Sequence, residues 1–85
     1  MTASKHLDCL GMPCPIPIIK TAKLFKTLSV NDTLEILSDD PGILPDMQSW
    51  CASHAHEYLG ETTEDIDGRP AWRVYVRKSE HVQAD

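Results

Sequence analysis

Prolines stand at every second position from 13 to 17, in the run Met12-Pro13-Cys14-Pro15-Ile16-Pro17. Proline fixes φ and brings no backbone N–H, so such a run fits neither a central strand nor a helix interior. It does fit the first turn of a helix, where the N–H groups have no intrahelical partner. The spacing predicts a helix start with Cys14 at the N-cap, Pro15 at N1 and Pro17 at N3. The N–H groups of Ile16 and Ile18 would then be free to point at the sulfur. A helix N-terminus carries partial positive charge and lowers the pKa of a cysteine placed there. Cys14 is therefore the candidate reactive thiol.

The rest of the chain supplies elements for this helix to pack on. From Pro15 to Leu28 the apolar residues Ile18, Ala22, Phe25 and Leu28 recur at helical spacing, flanked by Ile19 and Leu24. Lys20, Lys23 and Lys26 fall on the opposite side. His6 to Leu10 reads as a short strand, and Thr33 to Leu37 alternates as a second one. Asp39-Asp40-Pro41-Gly42 offers a cap with Pro41 at N1 for a second helix. Its stripe is Ile43, Met47, Trp50, Cys51 and His54, and Pro45 either sits in its first turn or marks its start. A third strand is expected from His56 to about Glu64, a turn at Asp67-Gly68, and an alternating strand from Ala71 to Arg77. Each crossover through a helix favours a parallel neighbour, and the last two strands form a hairpin. The expected fold is α/β in the α+β sense. It is a two-layer βαβαββ sandwich, with a mixed four-stranded sheet and two helices on one face. The other face would stay open, where an exposed aromatic such as Trp72 or Tyr75 could mark a partner surface, though alternating aromatics in a strand are more often packing. Residues 1–85 are expected to form a single domain, with 1–4 and 79–85 as flexible termini.

Composition narrows the function classes. A net charge of −5 argues against a direct nucleic-acid binder. No apolar run is long enough to span a bilayer, and no signal-peptide pattern is seen. Three cysteines, an odd number, suit a reducing cytoplasmic setting. No general base accompanies Cys14, which speaks against a cysteine hydrolase. Cys51, His54 and His56 lack metal-site spacing. No cofactor loop is present, so neither metal nor cofactor is expected. Cys9 and Cys51 read as packed thiols, the usual fate of a free cysteine. Cys14 is better suited to carrying a group than to turning over a substrate.

The segment Leu7-Asp8-Cys9-Leu10-Gly11-Met12-Pro13-Cys14-Pro15-Ile16-Pro17 resembles the L-D-x-x-G-x-x-C-P-x-P signature of the TusA/SirA-like sulfur carrier family. Asp39-Asp40-Pro41, Trp50-Cys51 and His56-Glu57 extend the resemblance over residues 5 to 78. It implies that Cys14 takes sulfane sulfur as a persulfide from a sulfurtransferase or cysteine desulfurase and passes it to an acceptor protein. Acceptors so implied serve tRNA thiolation, cofactor synthesis or sulfur oxidation. Ile16 stands where members serving tRNA thiolation often carry an acid. Two other readings stay open at this point: a non-catalytic partner-binding or regulatory module, and a thiol-redox protein using Cys9 and Cys14.

Overall fold

A computed structural model describes residues 3–13 and 15–79. The elements follow the order βαβαββ: β1 Lys5–Asp8, α1 Ile16–Phe25, β2 Thr33–Ser38, α2 Ile43–His54, β3 Glu57–Ile66 and β4 Arg69–Arg77. They form an α+β fold with one mixed sheet of strand order β1-β2-β4-β3. β1 and β2 pair in parallel across α1, as a right-handed crossover favours. The second crossover does not deliver a neighbour. β4 inserts between β2 and β3 and runs antiparallel to both, giving a split βαβ arrangement.

β2 alternates strictly. Leu34, Ile36 and Ser38 are fully buried and face the helices. Their partners in register are Val76, Val74 and Trp72. Phe25 and Leu28 from the first helical segment, and Ile43, Met47 and Cys51 from α2, close the core over this surface. Each fully buried aliphatic side chain contributes about 1.5–3 kcal/mol of transfer free energy. Trp72 therefore packs on the core rather than marking the open face. Tyr75 does lie on the open face, but it is only 6% exposed and its hydroxyl donates to Glu35. Both aromatics thus pack, the commoner role of alternating aromatics in a strand, and neither is an exposed partner marker.

Several boundaries differ from the sequence reading. α1 begins at Ile16, which puts Pro15 at the N-cap and Pro17 at N2. Its inner face is Pro17, Thr21 and Phe25, and Ile19 points to solvent at 46% exposure. The helix stops at Phe25 because its last amides tighten into short-range bonds, Thr27 to Leu24 and Leu28 to Phe25. The Lys78 ammonium then donates to the Phe25 and Leu28 carbonyls at 2.8 and 2.7 Å, a cation placed at the helix C-terminus. α2 begins later than Asp39-Asp40-Pro41 suggested, with Gly42 at its N-cap and Pro45 in its first turn. Asp67 and Gly68 both take positive φ, 52° and 80°, the geometry of a two-residue type I′ hairpin turn.

Candidate functional site

β1 and β2 are parallel, so the loops that follow them emerge at the same end of the sheet. Ligand chemistry in open sheets with helical crossovers collects at this end. The first loop is built by backbone hydrogen bonds. The Cys9 amide prolongs the ladder by donating to Leu37 O at 2.8 Å, and the Met12 amide turns back to Cys9 O at 3.1 Å. The Asp8 carboxylate accepts the Leu10 amide at 2.9 Å, an Asx turn at the strand end. Gly11 follows with φ +76°. A Cβ there would meet nothing within 4 Å, so backbone conformation alone calls for glycine.

The second loop holds the first. Both carboxylate oxygens of Asp39 lie near the Gly11 amide, at 3.2 and 3.1 Å, and accept its hydrogen. Asp39 is itself fixed between the buried Ser38, whose Oγ accepts the Asp40 amide at 3.1 Å, and Asp40, whose Oδ1 accepts the Gly42 amide at 3.0 Å. A shallow groove of about 490 Å³ separates the loops, lined by Gly11, Met12, Pro13, Asp39, Asp40 and Pro41. The sequence marks these aspartates as strand-end and cap residues and as part of the family resemblance, but gives no sign of the hold on Gly11. The available signal was topological: a parallel β1–β2 pair must bring an acid just past β2 to the loop after β1.

Cys14 lies between the two described segments and outside the described residues. The structure on either side of it is defined. Asp39 holds Gly11 on one flank. On the other, the Ile16 amide donates to Pro13 O at 2.9 Å, and the Ile19 amide donates to Pro15 O at 3.1 Å. The Ile16 amide is thus engaged by the turn that starts α1 and is not the free donor expected at the sulfur. Ile16 is 37% exposed at the outer surface of the helix start.

The other two thiols are set apart from this surface. Cys9 is fully buried; burial pushes its pKa up, Lys20 opposes this and Asp8 reinforces it. Cys51 is almost fully buried in α2, and burial pushes its pKa up to about 11. Both are therefore poor thiolates near neutral pH. His54 and His56 stack against Trp50, with ring centroids 4.8 and 5.4 Å away. His54 Nδ1 lies 2.9 Å from the Trp50 carbonyl at the helix end, and His56 Nδ1 accepts the Ser79 amide at 3.2 Å. Among the described residues no His, Cys, Asp and Glu side chains converge as a metal ligand set.

The model of the family described as sulfurtransferase TusA matches residues 5–78, the span that contains every element of this fold. The chain belongs to the TusA family. It is 44% identical over 64 residues to the Bacillus subtilis protein named "Putative sulfur carrier protein YrkF", covering 75% of this chain and 35% of that relative. The chain thus matches about a third of YrkF. A second Bacillus subtilis relative, "Putative sulfur carrier protein YrkI", is 36% identical over 64 residues, covering 75% of this chain and 85% of its own length. The crystal structure of a SirA-like protein from Desulfitobacterium hafniense shares the fold, with a TM-score of 0.68 at 21% identity, covering 89% of this chain and 99% of that one. Among the described residues no helix is long and apolar enough to cross a membrane.

Proposed function

We propose that this TusA-family protein carries sulfane sulfur as a persulfide on Cys14. It would receive the sulfur from a sulfurtransferase or cysteine desulfurase and deliver it to an acceptor protein, in the reducing cytoplasm. Family membership over residues 5–78 is the observation that carries this reading. The chemistry is a displacement at sulfur. The Cys14 thiolate attacks the terminal sulfur of a donor persulfide, a new S–S bond forms, and the donor departs as its thiolate. The acceptor repeats the step on the Cys14 persulfide and returns Cys14 as a thiolate. No net oxidant is consumed in either transfer. Burial of Cys9 and Cys51 supports a single loading position, because neither can compete as an attacking thiolate.

Mass spectrometry after incubation with a rhodanese and thiosulfate tests the proposal. Wild type should gain about 32 Da, the mass of one sulfur, as a reductant-labile adduct. Cys14→Ser should gain nothing, while Cys9→Ala and Cys51→Ala should load. Asp39→Ala, which releases the Gly11 amide, should load more slowly. Asp39→Asn keeps one acceptor oxygen and should recover most of the rate. Loading that persists in Cys14→Ser would overturn the reading.

A further inference from the structure

β1 is an edge strand. Among the described residues it pairs with β2 on one side and with no strand on the other. Between β1 and α1 runs an open groove of about 360 Å³, floored by Leu7 and Leu24 and walled by Lys20, Lys23 and Thr27. Leu7 and Leu24 pack on the core from one side and are still partly exposed from the other. Neither lysine forms an ion pair among the described residues. Several described carboxylates are engaged elsewhere. Glu35, Glu57 and Glu64 meet arginines, and Asp8, Asp39 and Asp40 accept backbone amides. A cationic groove is thus left open on a chain whose net charge is −5.

We infer that this groove is the docking site for an extended acidic segment of a partner protein, added as a fifth strand beside β1. It rests on the proposed function only in taking that partner to be the sulfur donor or acceptor. Main-chain hydrogen bonds to the free edge supply affinity, and alternating side chains supply selectivity. One side of the added strand places an apolar residue on Leu7 and Leu24. Carboxylates two positions to either side of it, on the same face, meet Lys20 and Lys23, with exposed Lys5 at the start of the same edge. An edge marked by lysines resists pairing with its own copy, because like charges would face each other. β1 leads directly into the Cys9–Pro13 loop that ends beside Cys14. A strand docked here is held next to the sulfur-carrying segment, and the selective element is separate from the thiol.

The test uses the full chain as Cys14→Ser, so that sulfur chemistry plays no part and a failure here leaves the carrier reading intact. The probe is the peptide acetyl-Glu-Thr-Val-Thr-Glu-Thr-amide, whose two carboxylates and apolar residue share one face of a strand, with the lysine-for-glutamate peptide as control, followed by amide NMR. The acidic peptide should shift amides of residues 5–8 and 20–27, while the basic peptide should not. Lys20→Glu combined with Lys23→Glu should weaken binding about tenfold, as expected when two exposed pairings become repulsions. Equal binding of both peptides, or shifts confined to β3, would overturn the assignment. So would sedimentation showing that the protein self-associates and that the double variant abolishes this, since the occupant would then be a second copy.

Discussion

The open face of the sheet and the outward face of α1 are both rich in charge, but they use it in opposite ways. On the sheet the charges close on each other. Glu35 accepts from the Tyr75 hydroxyl at 2.9 Å, lies 3.3 Å from Arg73 Nη1, and contacts His6 Nδ1 at 2.6 Å. Arg73 continues to Glu64, and Arg77 pairs with Glu57. These side chains sit opposite or diagonal across neighbouring strands, where opposite charges stabilise a sheet. On α1, Lys20 and Lys23 form no ion pair among the described residues. The closed network can contribute to stability, whereas the unpaired lysines remain available for recognition. A protein this small can separate the two tasks by giving each a different face.

Substitutions can break or sharpen that contrast. The largest loss should come from the layer beneath the network. Ile36→Ala removes a fully buried side chain facing the helices and should cost about 3 kcal/mol in urea unfolding. Glu35→Gln should come next, at about 1–2 kcal/mol near neutral pH, because the Arg73 and His6 contacts lose a charged partner. Its pH dependence separates this network from packing. Burial alone would raise the Glu35 carboxyl, but hydrogen bonds from His6 and Tyr75 and the charge of Arg73 outweigh it and hold the pKa below the ordinary 4.5. A depressed carboxylate pKa gives stability that is present above 4.5 and lost as pH falls through the folded value. The gap between wild type and Glu35→Gln should therefore narrow in acid, while the Ile36→Ala gap should not. The smallest effect should be on α1. Lys20→Ala with Lys23→Ala should leave unfolding within about 0.5 kcal/mol of wild type. A larger loss there would mean that the lysines support the fold after all.

Much of this layout was legible in the residues. Alternation in Thr33–Leu37 and the Asp67-Gly68 dipeptide encode local geometry; the strand forms there and runs one residue further, and the turn forms at Asp67-Gly68. The prolines placed the start of α1 to within one residue. What escaped was set by partners distant in sequence. The apolar stripe Ile18, Ala22, Phe25 and Leu28, flanked by Ile19, passes over Thr21, yet Thr21 is fully buried and Ile19 is exposed. Lys78 ends α1 from the far end of the chain. The insertion of β4 between β2 and β3 follows from pairing with both, which no local pattern reveals. The clamp of Asp39 on Gly11 was missed for the same reason: neither residue signals the other until β1 and β2 are known to be parallel.

The strand β1 has one further consequence, for the order in which the molecule opens. β3 and β4 are joined by a two-residue turn and pair along nearly their whole length, so their contacts are local and close early. β1 is four residues long, pairs on one side only, and reaches β2 only after the whole of α1. It should be the last strand to register and the first to detach. Amide hydrogen exchange should accordingly show lower protection in Lys5–Asp8 than in β4. Such partial opening would uncover Cys9 without unfolding the hairpin, so the period for which that second thiol stays hidden is set by the least anchored strand of the sheet.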